Sequence, residues 1–286
     1  MKVMILTDLE GCAGTEGTKR EGMPGNSAFT TPAMIKSLTN EINACAEGLF
    51  AAGAKEVLVW DSHGGGRNFS IDSLLPGITM AMMQDPFGSV CHLDASFDAA
   101  VQIGCHSRQG VINGYLNHTR NSSEVAEITI NGKPIGEAEF AILRAGFFNV
   151  PHILVAGEYS AVRSALEFNG EPLETVVCKR GYSRYSVLHR PPEEVCREIR
   201  FKSERGLKNL EKFRVKKIDE PITVTLTVMC PNQLEKYILR GCEQIGDTTV
   251  RMSETDAIDA LAQMCNFSAG VHNKIFGIDN TTANII

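Results

Sequence analysis

The chain has 286 residues, 43% hydrophobic and 22% charged, the composition of a globular protein long enough to bury one large core or two modest ones. A net charge of −6 argues against general nucleic-acid binding, which needs a basic surface to displace counterions. No apolar run approaches the ~18 residues of a membrane span, and the opening MKVMILTD is too short for a signal-peptide core. The nine cysteines are scattered with no CxxC pair, a pattern that reads as reduced thiols in a cytoplasm.

Strand and helix signals alternate along most of the chain. VMILTD (3–8) is an apolar run ending in an acid. Thr31-Pro32 supplies a cap and a proline at the first helical position. Met34, Leu38, Ile42, Cys45 and Leu49 then recur at helical spacing, and Gly53 closes the helix. EVLVWDSH (56–63) and AAVQIGCH (99–106) read as strands, and 127–130 with the residues after Asn131-Gly132 as a hairpin. A helix over 136–148, the strand HILVAGE (152–158) and a helix over 161–168 follow. Strands bounded by helices in this order predict an α/β fold with a mostly parallel sheet flanked by helices.

From Pro191 the texture changes. The pattern predicts a charged helix over 191–212, an alternating strand ITVTLTVM (222–229), a helix over 231–239, a strand over 248–252 and a helix over 254–264. The tail 271–286 has no clear period. The expected organisation is a catalytic α/β domain over 1–190 and a smaller α+β unit over 191–286, a lid or an assembly surface.

Three strands end alike, in TDLEG, VWDSHGGG and IGCHS. Open parallel sheets bind ligands at the carboxyl ends of their strands, so Asp8, Glu10, His63 and His106 fall along one edge. If the first strand stays extended through Leu9, Asp8 and Glu10 point to one side and repel unless a cation lies between them. The alternative ends that strand at Asp8 and leaves Glu10 in a solvated turn before Gly11. Carboxylate with imidazole suits zinc, manganese or another borderline divalent ion. GCAGTEGTK (11–19) fails the phosphate-loop spacing, and HGGG at 63–66 has no G-x-S-x-G nucleophile elbow to serve. His118 sits in a glycine-containing loop. Glu137 and Glu139 both lie where a helix begins, and the residues alone do not choose between them. Asp61 and Ser62 are candidates to orient the ligands, and Cys12 is a remote ligand candidate.

TDLEG, EVLVWDSHG, GRN, LLPGI, SFDAAVQIGCH, NHT, and NGKPIGEAEF followed by VPHILVAGE resemble, in order, the DppA-type D-aminopeptidases of peptidase family M55. The resemblance runs from Met1 to about Gly157, with an echo at YSRYSV (182–187). It implies a cytoplasmic aminopeptidase with two zinc ions per subunit, or manganese or another divalent metal, assembled as a ring-shaped homo-oligomer. By resemblance Asp8 bridges the metals, Glu10 and His63 hold one, His106 and Glu137 the other, and His118 is catalytic as a general base or oxyanion donor. The implied substrate is a short peptide or amino-acid amide with an N-terminal D-residue. Two rival functions share the same centre: hydrolysis of another amide or a phosphate ester, and an inactive metal-binding ring protein.

Overall fold

A computed structural model describes residues 1–17, 31–64, 66–81, 93–219 and 221–254. Seven strands form one sheet: β1 (Lys2–Thr7), β2 (Glu56–Asp61), β3 (Ile78–Ala81), β4 (Ala99–Cys105), β7 (His152–Glu158), β8 (Glu174–Ser183) and β9 (Ser186–His189). Their order is β3-β2-β1-β4-β7-β8-β9, parallel throughout except for the antiparallel β8–β9 hairpin. A second, antiparallel sheet has five strands: β5 (Val125–Ile130), β6 (Lys133–Pro134), β10 (Ile222–Val228), β11 (Glu243–Gln244) and β12 (Thr249–Glu254). The helices are α1 (Pro32–Ala51), α2 (Glu137–Phe147), α3 (Tyr159–Asn169), α4 (Pro192–Lys208) and the single turn α5 (Glu235–Ile238).

The period of two in β1 sets the layers. Val3 and Ile5 face α1 and α4, packing with Leu38, Ile42, Leu49, Val195 and Ile199. Met4 and Leu6 face the other way, onto Trp60, Phe140 and Leu143 and the inner side of the second sheet at Ile128, Val224 and Leu226. The helix start foreseen at Thr31-Pro32 forms, with the Met34 amide donating to Thr31 Oγ1 at 3.3 Å.

Strands β1 and β4 lie side by side, yet β2 and β3 intervene in sequence. The chain winds outward from β1, then returns to start the other half at β4. The carboxyl ends of β1 and β4 therefore flank the point where the winding reverses, where an open α/β sheet leaves a crevice.

The mostly parallel sheet flanked by helices matches the sequence expectation. The boundary near residue 190 does not coincide with the division between sheets. β5 and β6 join β10–β12, while α4 packs on α1 and β8. The expected helix over 231–239 is a 3-10 turn, Pro231–Gln233, followed by the one-turn α5. Only its middle is covered: Leu234 and Tyr237 are buried, while Ile238 and, at 80%, Leu239 are exposed, so the end of the segment has no packing to hold a longer helix. Residues 255–264 of the last expected helix, and the tail 271–286, lie outside the described residues.

Leu38 is wholly buried between α1 and the sheet, so Leu38→Ala is expected to destabilise the fold by ~2–5 kcal/mol, read from denaturant unfolding, with the site's ligands unmoved.

Candidate metal centre

Asp8 follows β1 directly, and its amide still donates to Ile103 O at 2.8 Å, continuing the pairing with β4 by one residue. The extended strand stops there. Residues 9–12 close a turn in which the Cys12 amide donates to Leu9 O, so the i, i+2 geometry expected through Leu9 does not occur. Glu10 nevertheless is buried, and its carboxylate reaches the same place as that of Asp8. Two glycines make this possible. The Gly11 amide donates to Gly104 O at 2.8 Å, and a Cβ on Gly11 would lie 1.9 Å from Cys105 O. Gly104 has φ +80°, and a Cβ there would meet Asp8 O at 2.0 Å. Only hydrogen at both positions lets the turn sit this close to the end of β4.

Asp8 stands between two groups. Its Oδ1 is 3.1 Å from His63 Nδ1, and its Oδ2 is 3.3 Å from His106 Nε2. Glu10 Oε2 lies 2.8 Å from His63 Nδ1, and Glu137 Oε1 lies 3.4 Å from His106 Nε2. His118 Nε2 points at Glu10 Oε1 from 3.9 Å, and its ring stacks on that of His106 with centroids 3.9 Å apart and planes within 9°. Ligand atoms of Asp8, Glu10 and His63 converge as one set and those of His106, His118 and Glu137 as another. All six residues singled out in the sequence are thus brought together.

The histidines present defined nitrogens. His106 Nδ1–H donates to Ser107 O at 2.9 Å and His118 Nδ1–H to Leu116 O at 2.8 Å, which turns both Nε2 atoms inward. Ser107 O also accepts the His118 amide at 3.1 Å. The Ser107 hydroxyl donates to Glu158, whose carboxylate also accepts the amides of Ser160 and Gly181. His63 is held by its loop: Asp61 accepts from the His63 amide and from Asn68, and Asn68 Nδ2 donates to His63 O at 2.7 Å. Ser62 Oγ donates to Thr7 O, tying the end of β2 to β1.

The structure separates the two helix-start acids. Glu139 accepts the Gly136 amide and the Ser164 hydroxyl, so it caps α2 and braces α3. Glu137 instead turns to His106 and accepts the Arg120 amide at 2.6 Å. Cys12 joins neither set; its buried thiol donates to Asp8 O at 3.6 Å, and burial pushes its pKa well up.

Burial with the Glu10 charge alongside raises Asp8 to about 7, against the pull of His106 and His63. Burial opposes charge on the imidazoles too, but Glu10 and Asp8 lift His63 to about 11, and Asp8 with Glu137 lifts His106 to about 10. Glu137 resists burial through its contacts with His106 and falls to about 2. His118 goes the other way, lowered by burial and by the His106 charge, so it is neutral at neutral pH. Asp8 Oδ2 and Glu10 Oε2 are buried without a hydrogen bond, although imidazole nitrogens stand close. Three carboxylates facing inward-turned imidazole nitrogens, with two oxygens unclaimed, fit a divalent cation.

The fold presents a candidate metal centre at the carboxyl edge of its sheet, and comparison with known proteins makes the chain a metal-dependent hydrolase. Residues 1–266 match the D-aminopeptidase family, peptidase family M55, and the chain belongs to that family. A D-aminopeptidase of Bacillus subtilis (strain 168) is 29% identical over 269 residues, covering 92% of this chain and 95% of its own. The solved structure of the Zn-dependent D-aminopeptidase DppA from Bacillus subtilis, described as a self-compartmentalizing protease, superposes with a TM-score of 0.80 at 26% identity. That match covers 93% of this chain and 96% of the DppA chain.

Sequence reading missed Lys179, Ser107 and Glu158, which hold the site from behind. Ser107 adjoins His106 and was within reach, but Lys179 lies in VCKRGYS, where charge and glycine hide a buried strand.

At neutral pH the metal-free imidazoles of His63 and His106 carry protons that a cation must displace, so affinity rises with pH. Zinc calorimetry at pH 7 in buffers of different ionisation enthalpy is expected to show release of about two to three protons at full loading, because Asp8, raised to about 7, is itself about half protonated.

Proposed function

We propose that this chain is a zinc aminopeptidase that removes an N-terminal residue, of D configuration, from short peptides or amino-acid amides. The observation that carries the reading is Asp8, whose two oxygens face His63 on one side and His106 on the other. In this reading two zinc ions would be held here, one by Glu10 and His63 and the other by His106 and Glu137, with Asp8 shared between them. The zinc dependence of the DppA neighbour and the family match support zinc and the aminopeptidase activity. Bound there, the ions would supply Lewis-acid polarisation of the scissile carbonyl and a water of lowered pKa.

The chain's own groups do the rest. His118 is neutral, its Nδ1 proton is committed to Leu116 O, and its Nε2 is open toward the carboxylates. Nε2 takes the proton of the attacking water and returns it to the leaving amine. The carbonyl of Ser107 keeps the two histidine rings in register, so the proton acceptor stays fixed relative to the ligands.

His118 also stands within ligand distance of His106 and Glu137, and this favours a second reading in which it is itself a ligand. The two readings separate cleanly. His118→Ala is expected to keep both zinc ions, measured by metal analysis, while kcat falls by ~10²–10⁴. Loss of one ion in the variant would make His118 a ligand.

A panel of D- and L-aminoacyl amides beside a phosphodiester tests the reaction class. Cleavage of D-aminoacyl amides is the expected result, and turnover of the phosphodiester alone would sink the peptidase reading.

The chain is proposed to act in the cytoplasm as a ring-shaped homo-oligomer. No helix among the described residues is long and apolar enough to cross a membrane, and Tyr182, Tyr185 and Leu188 leave an apolar hairpin surface exposed. Native mass spectrometry is expected to show a closed oligomer; a monomer at micromolar concentration contradicts it.

A further inference from the structure

The turn that carries Glu10 has lost its strand and needs another support. Its peptides are gripped individually by side chains from distant parts of the chain. The Ala13 amide donates to Glu41, the Gly14 amide to His189 Nδ1, and the Gly17 amide to the Tyr115 hydroxyl at 2.7 Å. Ser37 donates to Ala13 O. One side chain takes hold of the ligand residue itself. Lys179, on β8 and wholly buried, donates through Nζ to Glu10 O at 2.6 Å and to Thr15 O at 2.9 Å. The ammonium also lies 5.0 Å from the centre of the Tyr115 ring.

A fully buried lysine is costly and is rarely retained without partners. Here two donors go to backbone carbonyls at the two ends of one turn, and an aromatic face receives the cation. None of these hydrogen bonds is with a ligand carboxylate, although the ammonium's charge also acts on the nearby carboxylates of Glu41 and Glu10. The direct hold of Lys179 on the ligand residue is through the backbone. The direction in which the Glu10 side chain leaves the backbone depends on where its peptide is pinned, and Lys179 pins that peptide from behind.

We propose that Lys179 is a positioning residue for the Asp8–Glu10–His63 half of the centre, fixing the Glu10 peptide so that its carboxylate meets the same cation as His63. The inference rests on the metal-centre reading above. It predicts an asymmetric defect, because His106 and Glu137 are carried by β4 and α2 and receive nothing from Lys179.

The test is a zinc titration of full-length Lys179→Met, with anomalous scattering to assign each ion to its ligands. Affinity at Asp8–Glu10–His63 is expected to fall about 10–100-fold, the usual effect of removing a group that orients a ligand. The ion at His106 and Glu137 should bind as in the wild type. Tyr115→Phe is the control, since it frees the far end of the same loop at Gly17 without touching Glu10, and it should keep both ions. If Lys179→Met does not fold, Lys179→Gln takes its place with the same selective loss expected. Equal binding at both positions in the Lys179 variant, or an equal loss in Tyr115→Phe, overturns the proposal. A wild-type protein with no ion at Asp8–Glu10–His63 overturns the metal-centre reading and the inference with it.

Discussion

Like charges held out of water dominate this structure. Asp8, Glu10 and Glu137 converge at the end of β1, with Asp8 and Glu10 almost wholly buried. Burying a carboxylate costs several kcal/mol unless opposite charge and hydrogen bonds answer it. The three imidazoles and the fixed amides of Leu9 and Arg120 supply part of the answer. The sheet supplies the rest of the constraint, because the reversal in winding between β1 and β4 sets Asp8 beside His106. Elsewhere the core is ordinary alternation of apolar residues across two layers.

Two means of support divide the site. Asp8, His106 and Glu137 stand at or beside the ends of regular elements, where backbone pairing fixes direction. Glu10, His63 and His118 stand on loops held by side-chain or carbonyl hydrogen bonds: Glu10 by Lys179, His63 by Asp61 and Asn68 of its own loop, and His118 by the carbonyls of Leu116 and Ser107. Ser107 links the two kinds. Its carbonyl receives both the His106 ring and the His118 amide, and its hydroxyl is anchored on Glu158 at the end of β7. A displacement of that one peptide would move both histidine rings together rather than apart.

The sequence was most informative where periodicity and position coincide. The parallel sheet was readable from the alternation of strands and helices, the helix from Pro32 from its cap and spacing, and the gathering of Asp8, Glu10, His63 and His106 from strand ends. The choice of Glu137 over Glu139 came only from resemblance; the structure gives its physical cause, since Glu139 is spent on capping α2. The expectation that failed in mechanism concerned Leu9. The strand breaks there, and Glu10 is brought in by a turn that depends on Gly11, Gly104 and Lys179 rather than by extended geometry. No local pattern encodes a contact between residues 10 and 179. The β8–β9 hairpin was illegible for a related reason, as a buried lysine and adjacent arginine interrupt the apolar run that marks a central strand. The pairing of β5 with β10 joins segments almost a hundred residues apart, which is why the second sheet did not follow the expected boundary.

The order of the chain gives the clamp on Glu10 a bearing on synthesis. All six residues of the centre have left the ribosome once Glu137 emerges, yet the lysine that secures Glu10 and the Glu158 anchor of Ser107 belong to later strands. A nascent chain thus carries every donor group before it carries the means to aim them. On the proposed metal-centre reading, those donors would be an unshaped set of acids and imidazoles until β8 docks, and completion of the sheet would set the moment at which the chain can discriminate among metals.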